Sequence, residues 1–516
     1  MATQKNQLKA GVVLSYVYIA LNAIVNLAYT PVMLRLLGKS QYGLYTLVAA
    51  VVSYLGLLSF GISGAYLRFY AREKETDDPQ AVGRLNAMFL TVFSVLSLIT
   101  LIAGIVLSCY AGPVFGDKLT AAELAEAKKM VVLLTINLAL GLITSVFSSF
   151  VIAQEKFVFQ KVIAILSVVA SPFISLPLLL AGVGPRALVD ALLVVSMMTL
   201  VANVVFCLQK LSMPFCFRGL RFGLLKEIYI FSFFLFLNQV IDQINWNVDS
   251  YLLGRFWGTH EVGIYGLASR LNQLYLAFSV AISSVFSPRI NRIVAKKENV
   301  DEQLNGLFIR VGRMQALLLF LLLLGLITLG KPFLVWMGGD PEFVRAYPAL
   351  LLLVVPVTVP LIQNLGIEIQ RAKNRHQFRS IIYGIMAVIN VLISIPLCKR
   401  YGSTGAAIGT AVSLAVGNFL LMNWYYEKHL GIAVKEFWKN ILQIGKGLLI
   451  PVVYCVACGV FVHVYTVLLF LVVGAGLLLI YGASMWLFGT NADEKALFRR
   501  LVSRFFGRKQ TYENHL

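Results

Sequence analysis

The sequence predicts an all-α polytopic membrane protein. It would hold about fourteen transmembrane helices, as two parallel six-helix repeats (lobes) plus a C-terminal helix pair. Three observations predict this: apolar runs of spanning length recur from end to end, Lys and Arg fall mainly on one side of those runs, and one segment recurs at a fixed offset.

The 516 residues are 59% hydrophobic and 13% charged, with mean hydropathy +0.80. A soluble domain carries about 25% charged residues. Each apolar run is about 20 residues long, enough to cross about 30 Å of hydrocarbon as a helix. The spans read 11–34, 42–67, 86–110, 129–153, 162–182, 188–208, 227–253, 262–287, 314–337, 347–370, 379–398, 404–426, 447–465 and 467–488. The first has a basic start and is too long for a signal-peptide core, so it reads as a retained helix.

A formal net charge of +20 suggests nucleic acid at first sight. With the N-terminus inside, and with Lys129, Lys331 and Arg379 near span ends counted with the adjoining segments, 32 of the 44 Lys and Arg fall on the cytoplasmic side, 11 on the external side, and Arg270 lies well within a span. The positive-inside rule explains that bias as topology and headgroup contact, with both termini cytoplasmic. Nucleic acid is thereby set aside as a partner. Six scattered cysteines include one C-x-x-C, Cys455 and Cys458, inside an apolar span, where packing is the reading. No P-loop, G-x-S-x-G or H-E-x-x-H pattern appears, and five isolated histidines give no metal spacing. No cofactor is expected and no enzymatic activity.

"RLLGKSQYGLYTL" (Arg35–Leu47) and "RFWGTHEVGIYGL" (Arg255–Leu267) align at an offset of 220 without a gap. "ISLPL" (Ile174–Leu178) and "ISIPL" (Ile393–Leu397) align at 219. Six spans separate the copies, an even number, so duplicated halves keep one orientation and relate by an axis along the membrane normal. The expected organisation is lobe one at 1–210, lobe two at 211–430, an added helix pair at 431–490 and a cytoplasmic amphipathic tail at 491–516. In the repeated motif, Gly38 and Gly43 suit a tight turn, and Tyr45 an interfacial anchor.

The seventh span contains "FLNQVIDQINWNVDSYLLG" (Phe236–Gly254). A midplane Asp costs roughly 2.5–3.5 kcal/mol on insertion scales. Asn238, Asp242, Asn245 and Asp249 fall within about 60° of helical arc, so they form a stripe that must face protein or water. Subtracting 220 gives Tyr18, Asn22 and Tyr29 on the first span, with Asn26 beside them. Arg270, on the eighth span, is positioned to pair with Asp242 or Asp249. Such a pair either locks two helices or lines a hydrated path. Glu368 sits near the end of the tenth span. Arg35, Arg68 and Arg255 sit near helix ends, where interfacial anchoring is the plainer role.

Taken together, these features resemble the Wzx-type polysaccharide flippases of the multidrug/oligosaccharidyl-lipid/polysaccharide exporter superfamily. "LRLLGKSQYGLY" looks like that family's L-G-x-x-x-[FY]-G-x-[YF] signature, and "YGSTGAAIGTAVS" (Tyr401–Ser413) like its G-x-x-G-A-A-x-x-T segment. The resemblance covers essentially the whole chain. It implies transport of a polyprenyl-diphosphate-linked glycan between leaflets of the cytoplasmic membrane. Expected partners are membrane lipids and the polymerase and ligase proteins of polysaccharide synthesis. On that reading Arg270, Asn22, Asn26, Asn238, Asn245, Arg35, Arg68 and Arg255 serve the substrate, and Asp242, Asp249 and Glu368 a coupling ion. Guanidinium suits diphosphate through bidentate hydrogen bonds. Unlike relatives, the first two spans lack a mid-depth arginine.

Other readings stay open: a lipid II flippase, a drug/cation antiporter of the same superfamily, a membrane scaffold, or an intramembrane glycosyltransferase using Asp242 or Asp249 as base. The last would want larger external loops than 111–128. The tail "NADEKALFRRLVSRFFGRK" opens with a capping-box pattern, Asn491 with Glu494. Leu497, Phe498, Leu501, Val502, Phe505 and Phe506 make one face, expected to lie on the anionic inner leaflet.

Overall fold

The computed structural model describes residues 2–499 apart from 60, 61, 77, 79, 220–222, 297, 374, 376, 463, 497 and 498. Among the described residues there is no strand. The helices are α1 (Ala2–Ser53), α2 (Tyr66–Lys74), α3 (Ala81–Cys109), α4 (Ala111–Phe115), α5 (Ala121–Ala153), α6 (Phe157–Leu180), α7 (Arg186–Val205), α8 (Gly223–Trp257), α9 (Thr259–Lys296), α10 (Val300–Gly338), α11 (Ala346–Ile362), α12 (Leu365–Ala372), α13 (Gln377–Leu414), α14 (Asn423–His429), α15 (Val434–Phe461) and α16 (Val467–Ser484).

Ten helical segments of the described residues are long and apolar enough to cross a membrane. Two of them contain a break. The segment Val17–Ser59 breaks at Gly38 (φ 70), and Gln377–His429 breaks at Gly402 (φ 57). α8 and α9, of 35 and 38 residues, also have spanning length and carry Asp242, Asp249 and Arg270. They meet at Gly258 (φ 85), the position 220 residues after Gly38. Positive φ strains any side chain with a Cβ, so glycine makes both turns possible. Many large apolar side chains are exposed, with Phe461 81% and Leu479 74% exposed. A soluble chain would bury such residues. Here they face where lipid supplies the apolar surroundings, and the backbone is satisfied within each helix. The protein is a multi-pass membrane protein.

The chain divides into two compact units. The first holds residues 1–274, 334–353 and 377–417. In it α5 packs between α3 and α7, α1 packs along α6, and α8 along α13. Its core includes an aromatic cluster: Tyr66 meets Phe89 edge-on at 5.0 Å, and its hydroxyl donates to Asn86 Oδ1 at 2.5 Å. Thr120 caps α5 in a capping box with Glu123. The second span expected from sequence, 42–67, is not one continuous helix. It passes through 3-10 turns at Tyr54–Ser59 and Ile62–Ala65, where small residues crowd the sequence.

The second unit holds 275–333, 354–376 and 418–516. The rings of Phe308 and Phe437 meet at a tilt of 42°, their centroids 4.6 Å apart. Arg313 is almost fully buried there. Its guanidinium donates to both carboxylate oxygens of Glu494 (2.7 and 2.9 Å), to the Asn440 carbonyl at 2.6 Å and to the Gly489 carbonyl at 2.9 Å. Asn491 and Glu494 exchange the expected cap bonds, each 2.9 Å. The amphipathic face expected beyond them, from Leu497 and Phe498 through Phe506, lies outside the described residues. Cys455 and Cys458 are buried and free.

Candidate functional site

The polar face of α1 is built from neutral groups. Asn26 Nδ2 donates to the Asn22 carbonyl at 2.7 Å and to its Oδ1 at 3.0 Å. One turn on, Tyr29 shares a hydrogen bond of 2.5 Å with Ser175 of α6. Arg270 reaches this face from α9 and donates through Nη2 to Asn26 Oδ1. Its Nε is buried without a partner among the described residues. Tyr29 and Tyr45 lie within electrostatic reach of the guanidinium.

Asp249 lies elsewhere in the same unit. It is 2% exposed. Tyr265 donates to its Oδ2 at 2.6 Å, and Thr410 of α13 donates to the same oxygen at 2.8 Å. Behind Thr410, Asn390 Nδ2 donates to its Oγ1 at 3.3 Å, and Ser394 donates to Asn390 Oδ1 at 2.9 Å. The other carboxylate oxygen, Oδ1, is buried and has no partner among the described residues. Among the described residues, two hydroxyl donors and no cation therefore hold the carboxylate.

The expected pairing of Arg270 with Asp242 or Asp249 is corrected by these contacts. Tyr265 and Arg270 are five residues apart on α9, about 140° around the helix. The face that presents Tyr265 to Asp249 consequently turns Arg270 toward α1. Asp242 is exposed, and its charged neighbour is Arg379 of α13. Asn238, half-buried, accepts from Ser380 at 2.9 Å, and Asn245 is half-buried on α8.

The remaining predicted residues do not join these clusters. Arg35 donates to the Trp336 carbonyl at 3.4 Å, and Arg255 to the Pro113 carbonyl at 2.8 Å. Arg68 is exposed on α2. Glu368, in the second unit, pairs with Arg371 at 3.0 Å. Gly43 serves packing within a helix, and the turn belongs to Gly38 alone. Near that turn Lys39 meets Asp340 at 2.9 Å and also Glu342, and this contact holds the Asp340 carboxyl below the usual range.

The residues missed in the sequence were Tyr265, Asn390, Ser394 and Thr410. The repeat carried a signal for two of them. Tyr265 stands 220 after Tyr45, and Ser394 stands 219 after Ser175, so both lie in segments that align at those offsets in the sequence.

Broken apolar helices, one amide-bound guanidinium and one hydroxyl-bound carboxylate define a helical membrane protein with polar groups buried inside it. Comparison with known proteins gives the family. Residues 32–341 match the family described as "Polysaccharide biosynthesis protein". A Shigella flexneri protein named for O-antigen transport is 20% identical over 404 residues, covering 76% of this chain and 91% of that protein. A Haloferax volcanii protein bearing the name flippase AglR is 23% identical over 398 residues, 74% of this chain and 76% of that one. Among solved structures, the lipid II flippase MurJ in an inward closed conformation aligns with TM-score 0.71 at 16% identity, over 95% of this chain and 99% of that one. An inward-facing multidrug resistance MATE transporter aligns with TM-score 0.62 at 13% identity, over 81% and 96%. These likenesses establish the fold. The chain belongs to the polysaccharide biosynthesis protein family.

Proposed function

We propose that the protein moves a polyprenyl-diphosphate-linked oligosaccharide from the inner to the outer leaflet of the cytoplasmic membrane by alternating access, coupled to a cation gradient. The observation that carries this reading is the Arg270–Asn26 contact with its unpartnered Nε. A guanidinium is costly within a membrane unless water, a carboxylate or a phosphate meets it. Amides alone leave its charge available to an anionic head group, and its planar fork suits a diphosphate. Asn22, Asn26 and the tyrosines supply hydrogen bonds for sugar hydroxyls.

Asp249 is the coupling carboxylate in this proposal. It is buried, oriented by two hydroxyls, and retains an oxygen for a proton or metal cation. The proposed architecture is fourteen spans, lobes at 1–210 and 211–430, both termini cytoplasmic, and a polymerase and ligase as partners. Three contacts support the duplication. α1 packs on α6 as α8 packs on α13. Tyr29 bonds Ser175 directly. At the positions 220 and 219 further on, Asp249 and Ser394 are joined through Thr410 and Asn390.

Deletion in the native host tests the function. The lipid-linked glycan should accumulate on the cytoplasmic leaflet, and wild type but not Arg270→Ala should restore export. Normal export in the deletion strain would sink the proposal.

A further inference from the structure

Lys161, at the start of α6, stands just before the predicted fifth span, among the cytoplasmic charges. The structure turns it onto α1. Its Nζ lies over the Tyr18 ring, 5.9 Å from the centroid, and the side chain is half-buried. Among the described residues it has no ion pair. Tyr18 is one turn before Asn22 and two before Asn26, which receives Arg270. Two cations free of carboxylates thus reach one polar face of α1, eight residues apart, or about 12 Å of helix rise.

The repeat isolates what is special about this position. At offset 219 the counterpart of Lys161 is Ser380, and at offset 220 that of Tyr18 is Asn238. Ser380 and Asn238 are hydrogen-bonded at 2.9 Å. The same two elements therefore touch at the same place in each half, with a cation on an aromatic ring in one and a neutral hydroxyl–amide pair in the other. The neighbours differ in the opposite sense. Asn22 of the first half corresponds to Asp242, and Tyr29 to Asp249. The α1–α6 face carries Lys161 among amides, whereas the α8–α13 face carries the carboxylates and sets Arg379 beside Asp242.

We propose that Lys161 is a second anion-binding residue of the translocation path, which meets the diphosphate of the lipid carrier one station before Arg270. This rests on the flippase reading above. The cations lie too far apart for one phosphate group to touch both, so the head group passes from one to the other along Tyr18, Asn22 and Asn26. Lysine is a point charge on a flexible stem, suited to capture and release. Arginine's fork suits the oriented hold. A cation–π contact keeps the ammonium near its place without neutralising it.

The test uses the full chain in nanodiscs, with polyprenyl diphosphate as probe and polyprenol as the uncharged control. Wild type should bind the diphosphate in preference to the alcohol, less tightly as salt rises. Lys161→Gln should lose about tenfold in affinity with a shallower salt dependence, while Lys161→Arg keeps binding within about twofold. Melting temperature should be unchanged in Lys161→Gln, and Tyr18→Leu, which leaves the lysine in place, serves as a second variant with retained salt dependence. If Lys161→Gln binds as wild type while Arg270→Ala has lost binding, the Lys161 proposal falls and the flippase reading stands. If wild type itself does not distinguish diphosphate from alcohol, both fall together.

Discussion

Gly43 and Gly263 lie backbone against backbone. A Cβ on Gly43 would stand 2.7 Å from the Gly263 nitrogen and fall directly on the Thr259 carbonyl oxygen. A Cβ on Gly263 would fall on the Lys39 carbonyl and stand 3.3 Å from the Gly43 nitrogen. The two glycines are 220 residues apart, at the same place in the repeated motif. The motif meets itself, so any side chain at either position pushes two backbones apart.

Gly43→Val and Gly263→Val should each cost about 1–3 kcal/mol or more, as overpacking against unyielding backbone does. Gly141 of α5 has nothing within 4 Å of a built Cβ. Gly141→Ala should therefore leave stability unchanged or raise it by about 0.5–1 kcal/mol. Thermal unfolding in detergent would read all three. Equal melting temperatures across the series would contradict the packing argument.

Asp249→Asn keeps an acceptor for Tyr265 and Thr410 and removes the charge. It should fold and show transport that no longer depends on the cation gradient in proteoliposomes. Asp249→Ala leaves two buried hydroxyls without their acceptor, at about 1–3 kcal/mol each, and should melt well below the Asn variant. Unaltered gradient dependence in Asp249→Asn would assign coupling to another residue.

Arg270 is held by an amide rather than a carboxylate. Its removal should cost about 1.5–3 kcal/mol for one charged hydrogen bond, less than the roughly 3–5 kcal/mol of a broken buried ion pair. Arg270→Lys should stay folded and export poorly, because the ammonium lacks the planar fork. Melting temperature and lipid-linked sugar export measured on the same variants separate fold from function. A folded Arg270→Ala protein with normal export would rule the residue out.

Glu494 is the counter-charge to Arg313 in the second unit, 2.7 Å away. Glu494→Ala strands a buried guanidinium and should destabilise the protein by roughly 3–5 kcal/mol. Lys495 lies over the Trp486 ring at 5.7 Å, and Lys495→Ala should cost less than about 1 kcal/mol. Similar melting points for the two variants would mean that the Arg313 site is satisfied in another way.

By itself the sequence determined what one-dimensional spacing can encode. Apolar length defined a membrane chain, the offset of 220 exposed the duplication signal, and helical periodicity placed Asn238, Asp242, Asn245 and Asp249 on one stripe. Each of these is a property of residues on one element. The Asn491–Glu494 cap was legible for the same reason, since both partners lie within one turn. Which partner each stripe meets was decided only by tertiary structure. Arg270 looked like a mate for Asp242 or Asp249, because opposite charges on neighbouring helices attract. The rotation of α9 decided otherwise, presenting Tyr265 to the carboxylate and sending the guanidinium to Asn26. Lys161 read as one more cytoplasmic cation until the packing of α6 on α1 brought it over Tyr18. Glycine at 43 suited a turn in sequence. Only the approach of a second copy of the motif, 220 residues away, made it a point where two backbones touch, because a helix crossing that close leaves no room for a Cβ.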